Sequence, residues 1–265
     1  MAHVIAVSGG KGGVGKTTTV ANLGLALKKM GKDVTLIDTN LTTPSLSLHL
    51  GIPLYPITLH DVLRGDAYIT EAMYIHQSGV RVVPASLSLE DLEGTDARRI
   101  TKVLNDAVAD TDVVLLDCAA GLGNETVAAL RASDALLIVT NPDLPSVTDA
   151  LKTKKLAEEM GMEILGVVLN RVDSKKKKSQ LSEREVKEML EVPILANIPE
   201  DAAVQEAIHK KTPVLSHKPS AASSKEFMRL AQSLTGATPA TNGYNGHNGD
   251  SGFFTRFREW MMGFT

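Results

Sequence analysis

Cysteine occurs once in the 265 residues, at position 118. A single thiol excludes a disulfide framework and leaves too few ligands for an iron–sulfur cluster held within one chain. A cytoplasmic setting is the expectation that follows. An excess of charge of one sign is also missing. The chain carries 28 basic and 31 acidic residues, a formal net charge of −3 and a pI near 6.2. Nothing global therefore attracts nucleic acid, and any anionic partner has to be held by a local patch. Long apolar runs are absent too. None approaches the ~20 residues of a spanning helix, and residues 1–8 run straight into a strand pattern without a signal-peptide pattern. The expectation is a chain that neither crosses a membrane nor carries a visible export signal.

What the chain does have is 43% hydrophobic residues, enough for one substantial core in an undivided α/β domain followed by a tail. Residues 3–8, 34–37, 80–83, 113–116, 136–139, 164–169 and 194–198 are short, β-branched, nearly continuous apolar runs, the pattern of strands buried on both faces. Helical stretches at 17–30, 147–160, 183–190 and 202–210 lie between them. This rhythm predicts a mostly parallel central sheet with helices on both faces. From 235 to 252 the composition changes to Gly, Asn, Thr, Ala and Pro with almost nothing to bury, which reads as a flexible linker. The predicted organisation is a domain over 1–234, a linker over 235–252 and a distinct segment over 253–265.

The strongest motif is Gly9-Gly10-Lys11-Gly12-Gly13-Val14-Gly15-Lys16-Thr17, which follows an apolar strand and opens a helix, the context a Walker A match needs. Gly10, Gly12, Gly13, Val14 and Gly15 form a tight loop whose N–H groups face inward. The helix N-terminus at Lys16, Thr17 and Thr18 adds partial positive charge, so a polyphosphate meets many donors at once. Lys16 is placed to reach the β/γ-phosphates and the Thr17 hydroxyl to bind Mg²⁺. ATP and Mg²⁺ are the expected ligands. Asp38 and Asp117 each end a strand run, where ligands bind in open α/β sheets. A lone Asp after a strand is most often a turn or helix cap, but two around a phosphate loop point to the ligand.

Lys11, early in the loop, makes the segment 11–17 resemble the deviant Walker A of the ParA/MinD ATPases, and the resemblance covers roughly residues 1–234. It implies a P-loop NTPase fold and an ATPase converting ATP and water to ADP and phosphate. It also implies an ATP-dependent homodimer in which Lys11 reaches across to the partner's phosphates. Such a cation supplied in trans acts only in the dimer. By the same resemblance Asp117 is the Walker B carboxylate near Mg²⁺, Asp38 is the switch I aspartate, and 117–123 is similar to switch II. Lys11, Lys16, Asp38 and Asn40 are the implied catalytic set, and Thr17, Asp38 and Asp117 the metal set. Family members usually carry Asp-x-Asp in switch I, whereas this chain has Asp38-Thr39-Asn40. An amide can orient a water but cannot accept its proton or add negative charge, so slow hydrolysis and a long-lived ATP dimer are expected. Cys118 reads as a small, unreactive packing residue. Asn170-Arg171 and Pro199-Glu200-Asp201 resemble the family's adenine-side segments; by sequence alone, Asn170 as a turn residue and Asp201 as a helix N-cap are equally good readings.

On a helix, Phe253, Phe254, Phe257, Trp260, Met261 and Phe264 fall within a sector of roughly 120°, with Thr255, Arg256, Arg258 and Glu259 outside it; only Met262 breaks the pattern. The segment resembles the MinD-type membrane-targeting tail and suits an in-plane helix on an anionic membrane surface. The alternative is docking on the domain's own surface or a protein groove. A helix this short binds weakly as one copy, and a dimer supplies a second. The implied function is therefore an ATP-controlled switch, cytoplasmic and peripheral at the inner face of the cell membrane, that positions cellular machinery with a protein activator or cargo. A ParA-like DNA segregation ATPase is the competing reading, with Lys175-Lys176-Lys177-Lys178 as its phosphate patch; a nonhydrolytic ATP-binding scaffold is another. Nucleic acid fits less well, given the acidic balance and the aromatic tail. A metal-cluster carrier is disfavoured because Cys118 alone cannot supply a Cys-x-x-Cys pair.

Overall fold

The computed structural model describes residues 2–52, 55–107, 111–173 and 179–236. Strands and helices alternate along them. The first half contains β1 (His3–Ser8), α1 (Lys16–Lys29), β2 (Val34–Asp38), α2 (Leu46–Leu50), α3 (Leu59–Arg64), β3 (Tyr74–Ile75), β4 (Arg81–Val83) and α4 (Ile100–Ala107). There follow β5 (Val113–Asp117), α5 (Asn124–Arg131), β6 (Ala135–Thr140), α6 (Leu144–Glu159), β7 (Glu163–Val172), α7 (Glu183–Leu190), β8 (Ile194–Pro199), α8 (Ala202–His209), α9 (Val214–His217) and α10 (Ala222–Thr235).

The strands form one sheet in the order β3-β4-β2-β5-β1-β6-β7-β8. Only the edge strand β3, two residues long, runs antiparallel, pairing Tyr74 with Val82 and Ile75 with Arg81. The apolar runs are continuous because both faces are covered. In β1, Ile5 and Val7 enter one core while Val4 and Ala6 enter the other; in β5, Val113 and Leu115 take the first side and Val114 and Leu116 the second. Successive strand residues point to opposite faces, so one short segment feeds two cores. The first core is closed by α1 and α10 through Leu23, Leu27, Phe227 and Leu230. The second is closed by α3, α5, α6 and α7 through Leu63, Leu130, Val147 and Leu190. The expected α/β architecture, a mostly parallel sheet with helices on both faces, is the one observed.

Local chemistry sets several boundaries. Asp143 caps α6 by accepting the Ser146 N–H at 2.9 Å, with Pro145 inside the first turn. Ser182 and Glu185 form a capping box on α7, as Thr58 and Asp61 do on α3. α10 ends at Gly236, whose φ of 71° is a left-handed C-cap. The linker beyond 236, the apolar face of Phe253, Phe254, Phe257, Trp260, Met261 and Phe264, and all four lysines of 175–178 lie outside the described residues.

β1 sits between β5 and β6, with β2 beyond β5 and β7 beyond β6, so the chain's direction of travel reverses around it. Ligand crevices form at the carboxyl ends of strands at such a switch point. The residues that meet there follow β1, β2, β5, β6, β7 and β8.

Candidate functional site

Residues 9–15 turn back over the carboxyl end of β1 before α1 opens at Lys16. At two of its positions the loop tolerates no side chain. Gly15 has φ 101°, and a Cβ there would stand 2.2 Å from Asn170 Nδ2. A Cβ on Gly10 would stand 2.4 Å from the Asp149 carbonyl oxygen of α6. Gly10 instead donates its N–H to Thr153 Oγ1 at 3.0 Å and accepts from the Gly121 N–H at 2.9 Å. The loop is thus held between α6 and the 118–123 segment. The first turn of α1 contains no acidic residue and no side-chain cap, which leaves its N–H groups and partial positive charge to an anion. Lys16 is buried, and its Nζ donates to the Lys11 carbonyl at 3.3 Å. Burial lowers its pKa, against the opposing pull of Asp117 and Cys118.

Asp38 and Asp117 lie in register on adjacent strands, both buried. Their surroundings differ. Asp38 Oδ2 accepts the Ser45 and Leu46 N–H groups, each at 3.0 Å, and Oδ1 accepts the Asn40 N–H at 3.1 Å. Its carboxylate therefore shapes the 40–46 loop, which the sequence did not suggest. Asp117 has neither oxygen in a hydrogen bond. Burial first, and then the charge of Asp38, push its pKa up to about 8; burial likewise raises Asp38 to about 6. The Thr17 hydroxyl shares a 3.0 Å hydrogen bond with Ser45 Oγ. An orphaned buried carboxylate beside a hydroxyl and a second carboxylate is an oxygen donor set that fits Mg²⁺. Among the described residues no group of three or more His, Cys, Asp or Glu forms a metal cage. Cys118 is buried and its thiol is pushed up to about 12, first by burial, so it is a packing residue.

Asn40 uses both its amide nitrogen and its amide oxygen within its own loop. Nδ2 donates to the Thr43 carbonyl at 2.6 Å, while Oδ1 accepts the Thr43 N–H at 3.2 Å and hydroxyl at 3.1 Å. Lys11 Nζ lies 3.6 Å from Asp143 Oδ1, an ion pair whose side chains are 45% and 41% exposed. Exposure of that order makes the pair weak.

The segments compared with an adenine site part company in three dimensions. Arg171 and Glu200 line a cleft of about 240 Å³ with Asn141, Asp143, Asp173 and Gln180. Arg171 has φ 57°, and Gln180 bridges it to Asp173, donating to the Arg171 carbonyl at 3.0 Å and accepting the Asp173 N–H at 2.9 Å. Asn170 is buried and donates to the Val14 carbonyl at 2.8 Å, bracing the phosphate loop from β7. Asp201 is the N-cap of α8, accepting from Ala203 N–H at 2.9 Å, and it also accepts the Ser223 hydroxyl at 2.8 Å. Of the two readings open for Asp201, the cap is the one its carboxylate serves. Pro199 ends β8.

Sequence reasoning missed Ser45, Asp143, Gln180 and Glu125. Only Asp143 carried a local signal, the Asp-Leu-Pro-Ser start of a helix; Ser45 and Glu125 matter through Thr17 and Leu41, distant in the chain, and Gln180 through Arg171 and Asp173 at the end of β7.

A family model for ParA, described as NUBPL iron-transfer P-loop NTPase, matches residues 1–235. An uncharacterized ATP-binding protein of Methanocaldococcus jannaschii is 38% identical over 238 residues, covering 89% of each chain. The septum site-determining protein MinD of Thermotoga maritima is 34% identical over 245 residues, again 89% of each. Among solved structures, the septum site-determining protein MinD of Pyrococcus horikoshii, complexed with Mg-ADP, superposes with a TM-score of 0.84 at 35% identity, covering 88% of this chain and 95% of that one. With these relatives and a phosphate loop, a paired-aspartate floor and a switch-point crevice on the same sheet edge, the chain belongs to the ParA family of P-loop NTPases.

Proposed function

We propose that this chain is a MinD-like switch ATPase that dimerises on ATP–Mg²⁺, attaches reversibly to an anionic membrane through residues 253–265, and positions cellular machinery. The observation that carries the nucleotide part is Asp117, buried with both oxygens unpaired beneath a phosphate loop whose helix start is uncapped. The Gly10 N–H stays on Thr153; the N–H groups of residues 12–18 and the Lys16 ammonium would bind phosphate oxygens, and Thr17 and Asp117 would hold Mg²⁺, with Asp38 behind them. Held there, Mg²⁺ would supply positive charge to offset the negative charge that develops on the phosphate. The Arg171–Glu200 cleft is the place for the base.

Two features support a slow, dimer-dependent switch. Asn40 cannot take a proton from water, and its amide is already engaged by Thr43. Lys11 rests on Asp143 in its own subunit, and releasing so exposed a pair costs no more than about 1 kcal/mol. Lys11 is therefore free to cross to a partner's phosphates.

No helix among the described residues is long and apolar enough to cross a membrane. Two tails per dimer multiply a weak individual affinity. Co-sedimentation of the full chain and a 253–265 deletion with anionic liposomes, each with ADP and with ATP–Mg²⁺, tests the proposal. Pelleting only of the full chain with ATP is the expected result. Equal pelleting with ADP and ATP sinks the switch, and absence of pelleting under every condition sinks the membrane role and turns attention to DNA binding by Lys175–Lys178.

A further inference from the structure

Glu125 stands in the first turn of α5, just beyond the 117–123 segment, and its side chain reaches the loop that follows β2. Its Oε2 accepts the Leu41 N–H at 3.0 Å, and its Oε1 accepts the Thr42 hydroxyl. The roots of these two loops are already joined, since Thr39 donates both its N–H, at 3.1 Å, and its hydroxyl, at 2.9 Å, to the Asp117 carbonyl. Glu125 joins them a second time, further out. Both ends of this bridge are anchored. Leu41 is buried in the second core at 3% exposure, and the residue after Glu125, Thr126, ties α5 back to the 118–123 segment through the Ala119 carbonyl at 3.2 Å. Asp38 holds the opposite side of the same loop through Asn40, Ser45 and Leu46. A loop pinned from two directions, with one pin on another element, cannot move without carrying that element or breaking the pin.

We propose that Glu125 is a positioning residue that couples the 38–45 loop to the 117–124 segment, so that the two respond to nucleotide as one unit. The coupling rests on the nucleotide switch proposed above. Glu125 touches no phosphate; it acts through Leu41 and Thr42. Its acceptor bonds are charge-assisted, and their loss corresponds to about a 10- to 100-fold increase in local opening.

Hydrogen exchange of the full chain, without nucleotide and with ATP–Mg²⁺, tests this in the wild type, Glu125→Ala, Glu125→Gln and Thr42→Val. Without nucleotide, Glu125→Ala should speed exchange of the Leu41 amide by about 10- to 100-fold. Glu125→Gln, which keeps a carbonyl acceptor, should recover part of the protection. With ATP, the wild type should gain protection in both loops, whereas Glu125→Ala should gain it in 38–45 without the matching change in 117–124. A merely structural role would shift both loops together. If Glu125→Ala does not fold, Thr42→Val, at an exposed position, removes one of the two bonds and should show the same uncoupling in smaller degree. A wild type that responds to ATP alongside variants that respond identically overturns the coupling alone. A wild type indifferent to ATP overturns the nucleotide reading and the coupling with it.

Discussion

Replacing Asn40 by aspartate should make the protein less stable and a faster enzyme, two effects of opposite value from one atom. The Asn40 Nδ2 donates to the Thr43 carbonyl at 2.6 Å. An aspartate keeps the acceptor used by the Thr43 N–H and hydroxyl but sets an oxygen against that carbonyl, and it adds a negative charge next to Asp38. Loss of the bond and the new oxygen–oxygen contact together cost about 1–2 kcal/mol. For a domain of this size that lowers Tm by about 2–8 °C. The same carboxylate can accept a proton from an attacking water and carry charge where the amide cannot, which at the low end for a general base is about 100-fold in turnover. Thermal unfolding without nucleotide and steady-state phosphate release with ATP–Mg²⁺ read the two effects separately. Asn40→Ala is the control: it forfeits all three side-chain bonds to Thr43, so it should be at least as destabilised with no acceleration. If Asn40→Asp turns over no faster than the wild type, the amide is not what slows hydrolysis. If its Tm is unchanged, the Asn40–Thr43 bridge does not hold the loop.

Asp117→Asn should flatten the pH dependence of stability in metal-free protein. A carboxyl raised from 3.8 to about 8 in the folded state retains a proton that the unfolded chain has released, so stability falls as pH rises across that window; the asparagine variant should keep only the smaller slope from Asp38, and an unchanged slope in urea melts refutes the assignment. The same variant should lose the Mg²⁺ dependence of nucleotide binding in calorimetry. Gly15→Ala should abolish ATP binding while leaving the far-UV spectrum intact, because φ 101° and the 2.2 Å approach of Asn170 both forbid a Cβ; retained affinity would mean that the loop adjusts freely. Phe227→Ala removes the largest fully buried side chain among the described residues and should cost about 3–5 kcal/mol, read as a lowered urea midpoint with little change in m; a loss below about 1 kcal/mol would mean that α10 does not close the first core.

The phosphate loop was legible because its chemistry is contiguous. Glycines, a lysine and a threonine in one run between a strand and a helix specify a backbone path and a ligand class without reference to the rest of the chain. The long strands were legible because burial on both faces leaves an unbroken apolar run, and α7 because its capping box and its apolar pair Val186 and Leu190 are local. β3, with two residues and Ile75 75% exposed, had no periodicity to show, and neither did the five residues of α2. The strand run at 164–169 stopped short of Val172 because Asn170 and Arg171 look like a turn. In the fold they lie within β7 at an irregularity, where the pairing with β8 shifts register after Leu169 and resumes at Val172 opposite Pro199.

The sequence by itself determined that a polyphosphate loop exists, that an α/β sheet presents it, and that Asp38 and Asp117 end strands near it. Only the tertiary structure decided what those side chains do. It took Asp38 for the loop's own N–H groups, left Asp117 bare, turned Asn170 onto Val14 across 156 positions and brought Glu125 to Leu41 across 84. The physical reason is one of range. Backbone conformation and caps are settled by neighbours a few residues away. Which carboxylate meets which donor depends on strand order, and that order is settled by how two apolar faces are covered at once.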